Sequence, residues 1–279
     1  MELKSSTLFK DIYDVEIKNK IKDLMDMFND EYYKGNKVAF FYKDKENTIS
    51  YNEEILFYAA STIKILAVLL MFNKIDNNEF HLDDKILVTM DDIRQDSGII
   101  ELQKEDTYYS LEELMRLTIS ESNNAAYLKI VDLLGGKAVL KEYGLSLGAK
   151  HTMEGKETDS FGITNCSDMY IYINKVIEYI NNGSEHSKMY RDWMLNTTTK
   201  KVDRENLNGN FLRKGGEFGI AYHEVGYVEA NKPYYLIILT QLGELDYKDE
   251  FINDAAKKIV DINKYIGDNL WLETTGMLS

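Results

Sequence analysis

The sequence contains only one cysteine and four histidines among its 279 residues. The single cysteine, Cys166, cannot form a disulfide within the chain, and the scattered histidines leave no Cys/His cluster at metal-ligand spacing. We therefore predict no bound metal and no other cofactor. The sequence also lacks the run of about 18 consecutive apolar residues that a membrane-spanning helix requires, so no membrane span is predicted.

Positive charge is also scarce, because 33 Lys and Arg residues face 47 Asp and Glu residues, which makes the net charge −14. Nucleic-acid-binding surfaces draw much of their affinity from clustered cations, so nucleic acid is excluded as an expected partner and a small-molecule substrate is favoured. The N-terminal segment MELKSSTLFKDIYDVEIKNKIKDL has no apolar stretch of the secretory type. The expected location is therefore cytoplasmic, or exported if a leader has been trimmed, and the oligomeric state is left open.

Segments rich in β-forming residues lie at both ends of the chain and bracket a middle part with helical periodicity. This order predicts an α/β (α+β) fold, in which an antiparallel sheet is flanked by N- and C-terminal helices and interrupted by an all-helical insertion. We predict a sheet domain formed by residues 1–76 and 190–279 and a helical domain formed by residues 77–189. A ligand cleft is expected at the seam between them.

The stretch AASTIKILAVLL, residues 59–70, is apolar except for a lysine three positions after a serine. A helix is predicted from near Ser61 to about Asn73, and positions three apart on a helix lie on one face, so Lys64 can approach the Ser61 hydroxyl. Unpaired N–H groups and the positive potential of a helix N-terminus favour a developing alkoxide there. The alternative is structural, because serine is a common N-cap and lysine often extends from a half-buried helix to solvent.

Two further polar clusters accompany this stretch. Ser122 and Asn124 lie at a break between two apolar runs, where they either project into the cleft or cap a helix junction. Lys214, Gly215 and Gly216 lie on a predicted strand, where the glycines allow a substrate backbone to approach and the lysine offers a cation. The structural alternative for this second cluster is a hairpin turn.

In this order, the motifs S-x-x-K, S-x-N and K-x-G are the signature of the penicillin-recognising serine enzymes. The chain resembles a class A β-lactamase, and more closely the divergent β-lactamase-like serine hydrolases, over roughly residues 36–262. The resemblance implies that Ser61 is the acylated nucleophile and Lys64 its activating partner. It further implies that Ser122 relays a proton to the leaving nitrogen, that Asn124 holds the substrate's side-chain amide and that Lys214 attracts its carboxylate.

By the same resemblance, the backbone N–H groups of Ser61 and Glu217 would form the oxyanion hole. Two features depart from the family pattern. Gly215 stands where the family has Ser or Thr, which removes a hydroxyl that would bind the substrate carboxylate. The family's E-x-x-L-N loop is also missing, since neither Glu154 nor Glu157 is followed by Leu-Asn, and both are interpreted as solvated loop carboxylates rather than as the deacylation base.

Three other polar residues are kept apart from the predicted site. His223 and Glu224 follow the third motif on a predicted strand, and alternation alone does not decide which of them faces the cleft. Cys166, beside apolar helix positions, is interpreted as a small buried residue.

These observations leave three functional hypotheses open. The first is a serine hydrolase of the β-lactamase type that opens cyclic amides through an acyl-serine intermediate. The second is a D,D-peptidase or esterase-like penicillin-binding protein that is acylated but deacylates slowly. The third is a binding or sensor module whose chemistry has decayed, which the joint presence of Ser61, Lys64, Ser122 and Lys214 disfavours.

Overall fold

The protein is described by a computed structural model over residues 5–8, 15–93, 98–155 and 160–274. The strands are β1 (Ser5–Leu8), β2 (Val38–Lys43), β3 (Thr48–Tyr51), β4 (Phe57–Tyr58), β5 (Lys85–Val88), β6 (Thr107–Ser110), β7 (Ile163–Thr164), β8 (Asn210–Phe218), β9 (Ala221–Glu229) and β10 (Tyr234–Thr240). The helices are α1 (Val15–Tyr33), α2 (Lys64–Asp76), α3 (Leu111–Ser120), α4 (Asn124–Leu133), α5 (Lys137–Ser146), α6 (Cys166–Ile180), α7 (Glu185–Leu195) and α8 (Lys248–Thr274).

Six of the strands form one antiparallel sheet in the order β1-β3-β2-β10-β9-β8. Strands from the two ends of the chain are therefore in one sheet, as the sequence predicts, because β10 pairs with β2. The fold prediction of an antiparallel sheet with flanking terminal helices is confirmed. β8 carries the third motif and lies at one edge of this sheet.

Apolar residues cover both faces of the sheet, and β2 shows why. Its side chains alternate, so Val38, Phe40 and Tyr42 enter the core beneath α1 and α8, whereas Ala39 and Phe41 enter the core shared with the middle of the chain. A strand buried on both faces reads as a continuous apolar run, which is how VAFFY appears in the sequence.

Helix α2 lies at the centre of the second core, and its residues from Lys64 to Phe72 are all buried. Helices α3, α4, α5 and α6 pack around it. An apolar helix without a polar face is expected when other elements enclose it on all sides. Ser61 therefore lies immediately before a helix that is enclosed by other elements.

The middle of the chain contains strands in addition to the expected helices. β5 pairs with β6, and β4 pairs with β7, each as a two-stranded antiparallel sheet. The prediction of an all-helical middle part was wrong in this respect, because the short TYYS and KILV segments are too brief to show a period. Short 3₁₀ turns occur at Met90–Asp92 and Gly98–Leu102.

Within the described ranges, no helix combines the length and the apolar character that crossing a membrane requires.

Candidate active site

The turn that carries Ser61 is a 3₁₀ helix, Ala60–Ile63, that leads directly into α2. The expected α-helix therefore begins three residues later than predicted, although residues three apart also share a face in a 3₁₀ turn. The turn is tied to the neighbouring segments because Ala59 donates its N–H to the Gly162 carbonyl at 2.9 Å and the Thr62 hydroxyl donates to the Ala59 carbonyl at 2.6 Å. Ser61 itself is partly exposed.

The Lys64 side chain is completely buried, and its ammonium is surrounded by oxygens from the junction before α4. It donates to the Ser122 carbonyl at 2.5 Å, to Asn124 Oδ1 at 2.6 Å and to the Ser122 hydroxyl at 3.2 Å. Two aromatic rings, Tyr127 and Phe161, lie 5.7 and 5.5 Å from the ammonium. Among the described residues, Lys64 makes no hydrogen bond to the Ser61 hydroxyl, so their pairing is not preformed.

Burial, with the nearby Lys214 as the second cause, lowers the pKa of Lys64 well below its usual range. A lowered pKa increases the fraction of neutral amine near pH 7, and only the neutral amine can accept a proton. The lowered pKa therefore suits Lys64 to act as a base for a nearby hydroxyl.

The junction between α3 and α4 combines the two readings that the sequence left open. Asn123 caps α4 by accepting the N–H of Ala126 at 2.9 Å. Its neighbours Ser122 and Asn124 instead direct their oxygens to Lys64. Ser122 adopts φ = 56°, a left-handed conformation that is uncommon outside glycine and that marks functional sites. The junction is thus both a capped helix start and part of the site.

Lys214 approaches the same serine from the sheet side. Its buried ammonium donates to the Ser122 hydroxyl at 2.8 Å, to the Gly215 carbonyl at 2.8 Å and to the Thr199 hydroxyl at 3.2 Å. Ser122 therefore lies between two amines. Burial lowers the pKa of Lys214 to about 7, with Glu224 opposing this shift and Lys201 adding to it.

Thr199 was not predicted from the sequence. It lies in the polar run NTTTKK before β8, and nothing in its spacing distinguishes it from the threonines on either side. It reaches the site only because the chain folds back over the β8 edge, where Thr199 and Lys214 meet across 15 positions.

The two glycines of the third motif contact different segments. A Cβ atom at Gly216 would lie 2.9 Å from Thr62 Cγ2, so this glycine allows β8 to approach the turn that carries Ser61. A Cβ atom at Gly215 would lie 2.3 Å from the Thr199 carbonyl oxygen. The departure from the family pattern at position 215 therefore has a steric reason, because backbone occupies the space of the missing side chain.

The Glu217 carboxylate pairs with two lysines other than those of the motifs. It accepts from Lys201 and, at 3.0 Å, from Lys248. Partial burial favours its neutral form, but these hydrogen bonds outweigh it and hold the pKa of Glu217 below its usual range. Its side chain is thus an ion-pair partner, and the role suggested for its backbone N–H remains a prediction.

His223 and Glu224 both prove to be fully buried. His223 accepts the Thr240 N–H at Nδ1 (3.1 Å), so its Nε2–H donates to the Tyr58 carbonyl at 2.8 Å. Burial lowers the pKa of His223 to about 4, which keeps the ring neutral and structural. Glu224 lies beneath the segment that contains Lys201 rather than in the cleft.

The described contacts of the Lys64 ammonium do not include Glu154. Glu154 pairs with His151 at 3.1 Å and remains substantially exposed, in agreement with a solvated loop carboxylate. Glu157 lies outside the described residues. Phe161, from the same loop, lies beside the Lys64 ammonium and packs against the Tyr127 ring with centroids 5.2 Å apart.

The interpretation of Cys166 as a small buried residue is confirmed, since it has no exposed surface. No group of three His, Cys, Asp or Glu side chains in the described ranges is arranged to hold a metal ion.

The Lys64 and Lys214 amines both contact the Ser122 hydroxyl, and Lys64 lies one turn after Ser61, an arrangement that matches the family resemblance of the sequence. The model of the beta-lactamase enzyme family matches residues 16–263. The chain belongs to this family. Beta-lactamase BRO-1 from Moraxella catarrhalis is 22% identical over 265 residues, covering 87% of this chain and 84% of that enzyme. A Proteus vulgaris beta-lactamase is 30% identical over 123 residues, and the match spans only 45% of its length.

Solved structures share the beta-lactamase fold over most of the chain. A point mutant of PBP-A, described as an acyl-enzyme complex with penicillin-G, superposes with a TM-score of 0.78 at 20% identity, covering 89% of this chain and 97% of that chain. A class A beta-lactamase representative from Bacteroides cellulosilyticus has a TM-score of 0.75 at 22% identity, covering 88% of this chain and 98% of that chain. These similarities establish the fold, and the family supports a hydrolase.

Proposed function

We propose that this beta-lactamase family member is an active-site serine hydrolase that opens β-lactam amides through an acyl intermediate on Ser61. The observation that carries the proposal is the hydrogen-bonded chain from Lys64 through the Ser122 hydroxyl to Lys214, with distances of 3.2 and 2.8 Å. This chain links a base of lowered pKa to a hydroxyl that can pass a proton onward, which is what amide cleavage needs on its leaving-group side.

In the proposed acylation, the Ser61 hydroxyl oxygen attacks the amide carbonyl carbon while its proton passes to neutral Lys64. Negative charge develops on the carbonyl oxygen, and the backbone N–H groups of Ser61 and Glu217 would stabilise it. The C–N bond then breaks, and the proton moves from Lys64 through the Ser122 hydroxyl to the leaving nitrogen. Lys214 keeps this hydroxyl oriented and attracts a substrate carboxylate.

The test is to mix the protein with penicillin G and follow the intact mass over time, with nitrocefin colour change as the measure of turnover. We expect an adduct that requires Ser61 and nitrocefin hydrolysis that falls by roughly 1,000-fold or more in Ser61→Ala. The exposed Ser146 offers a matched control, because Ser146→Ala removes a hydroxyl far from the site. A protein that forms no adduct and hydrolyses no activated ester would disprove the proposal and favour a decayed binding module.

A second function, an acyl-enzyme former that deacylates slowly, is favoured by one observation. Deacylation needs a base that activates water beside the ester. Apart from the oxygens of Ser122 and Asn124, the described neighbours of the Lys64 ammonium are the Tyr127 and Phe161 rings. Aromatic rings neither position water well nor accept a proton. This function suits a D,D-peptidase or esterase on the same fold.

The same time course separates the two functions. A penicilloyl adduct that forms and disappears within minutes, with steady nitrocefin turnover, supports the β-lactamase. An adduct that remains for hours, with at most one equivalent of nitrocefin opened, supports the slow acyl-enzyme former. Both outcomes place the acyl group on Ser61, which peptide mapping of the adduct identifies.

A further inference from the structure

A buried carboxylate lies behind the Lys214 strand, in a position that the proposed reaction does not use. Glu224 is on β9 directly opposite Gly215, and it has no exposed surface. Its Oε2 accepts the backbone N–H groups of Lys201 at 2.7 Å and Val202 at 3.0 Å. The Arg213 guanidinium lies 3.4 Å from the same oxygen.

These contacts hold the segment from Thr199 to Val202 against the sheet. Val202 is held at both of its backbone groups, because its N–H donates to Glu224 and its carbonyl accepts from Arg213 at 2.6 Å. Thr199 lies three residues before this anchor, where its carbonyl covers Gly215 and its hydroxyl accepts from Lys214. Thr199 is thus held from its C-terminal side by the Glu224 anchor and from its N-terminal side by the Thr197 hydroxyl, which accepts the Thr199 N–H at 3.4 Å.

The ion pair of Glu224 with Arg213 is not explained by stability alone. Glu224 Oε1 and Arg213 Nε are buried and lack hydrogen-bond partners among the described residues. Replacing such a buried pair by apolar residues is often neutral or stabilising. A buried ion pair with unpaired polar atoms, behind the strand that carries Lys214, is therefore a candidate for a functional role.

Charge provides a second link between Glu224 and Lys214. The charged groups around the Lys214 ammonium are Lys64 across the Ser122 hydroxyl, Lys201 on the folded-back segment and the Glu224 and Arg213 pair. Of these neighbours only Glu224 is an acid. Burial raises the pKa of Glu224, whereas Arg213 and the two backbone N–H groups favour its ionised form, and that ionised form favours a protonated Lys214.

We propose that Glu224 is a positioning residue for Lys214, which places Thr199 against the Lys214 ammonium through the anchored backbone and stabilises that ammonium by its charge. The expected effect of Glu224 on activity rests on the proposed acylation of Ser61. The glutamate acts through Lys214 and the anchored segment rather than by contact with substrate.

The test compares Glu224→Gln with Glu229→Gln. Gln at 224 keeps an oxygen for the two backbone N–H groups and loses the charge, whereas Glu229 lies on the same strand and pairs with Arg191 at 2.5 Å, away from Lys214. The readouts are the rate of acylation by penicillin G against pH and the Lys214 side-chain titration, followed by NMR of lysine labelled at Cε. The Lys214→Met variant assigns the Lys214 signal.

We expect Glu224→Gln to move the alkaline decline of acylation, and the Lys214 titration, about one pH unit to lower pH. The direction follows because loss of the negative charge lets the ammonium lose its proton more easily. Glu229→Gln should leave both unchanged. Equal profiles for the two variants would overturn the charge part of the inference. If the wild-type protein is not acylated, the proposed function fails, but the NMR titration still decides the effect of Glu224.

A second variant, Thr199→Val, tests whether the Thr199 hydroxyl positions Lys214. It keeps this part of the inference testable even if the Glu224 variant does not fold. It removes the hydroxyl at 3.2 Å from Lys214 while keeping the branched shape. We expect acylation by penicillin G to fall by about 10-fold with an unchanged melting temperature, since one charge-assisted hydrogen bond is lost. An unchanged acylation rate would overturn the role of Thr199.

Discussion

Lys64 places an ammonium group inside the core around α2, and the structure shows why the fold accepts it. Three hydrogen bonds to oxygens of Ser122 and Asn124 replace the water that burial removes. Burial still disfavours the charged amine and so lowers the pKa of Lys64. A lowered pKa is the property that a base for Ser61 needs.

Lys64→Met is expected to slow acylation by roughly 10²–10⁴-fold, because the variant lacks the general base. The free energy of unfolding should change by less than about 1 kcal/mol or increase, since removal of a buried cation offsets the cost of about 1–3 kcal/mol for the oxygens left without a donor. Acylation kinetics and urea unfolding measure the two effects. Lys74→Met, at a partly exposed position of the same helix, is the control.

A loss of more than about 3 kcal/mol with normal acylation would instead make Lys64 a structural residue.

Among the elements, the edge strand β8 shows how the family motif is modified by a neighbouring segment. The sequence suggested that Gly215 weakens substrate binding by loss of a hydroxyl. The structure shows that the Thr199 backbone covers this position and that the Thr199 hydroxyl lies 3.2 Å from the Lys214 ammonium. A hydroxyl is thus still present beside the lysine, but it comes from another part of the chain.

Gly215→Ala is therefore expected to destabilise the protein by about 1–3 kcal/mol, because a Cβ atom 2.3 Å from the Thr199 carbonyl oxygen forces backbone to move. Acylation should fall as Thr199 shifts. The matched control is Gly267→Ala on α8, where a Cβ atom meets nothing within 4 Å and where about 1 kcal/mol of stabilisation is expected. Thermal unfolding of both variants measures the difference.

If Gly215→Ala were as stable as the wild-type protein, the folded-back segment could not be the reason for glycine at this position.

At the scale of the whole molecule, an acidic protein of net charge −14 encloses two lysines between its sheet and its helices. Burial depresses the pKa of Lys214 to about 7, below the value of about 10.4 in an unfolded chain. Between these two pH values the unfolded chain binds more protons than the native protein. Stability must therefore rise with pH in this window, and the full cost of the buried charge is present below pH 7.

We expect the free energy of unfolding to increase by about 2 kcal/mol more between pH 7 and pH 9 in the wild-type protein than in Lys214→Met, because the variant has no proton to release. Urea unfolding at each pH measures the slope, and the difference between the two proteins cancels the other titrating groups. Parallel pH profiles for the two proteins would mean that Lys214 is not neutralised in this range.

Part of this protein could be predicted from its sequence, because the signals are local. Runs of β-forming residues in VAFFY and YYLIILT indicated strands, helical periodicity indicated α1, α6 and α8, and three short motifs in order indicated the family and hence the fold. The break at Ser122 was visible as polar residues between two apolar runs. These features depend on neighbouring residues, so a linear sequence is enough to reveal them.

The tertiary structure alone decided which groups surround the two lysines. Thr199 reaches Lys214, Phe161 reaches Lys64 and Glu224 reaches the Lys201 backbone over separations of 15, 97 and 23 positions. Chain folding, rather than any spacing in the sequence, brings these residues together. The motifs therefore determined which chemistry the site can hold, whereas contacts between distant segments determined the burial, charge and access that tune it, because pKa values and steric fit depend on three-dimensional surroundings.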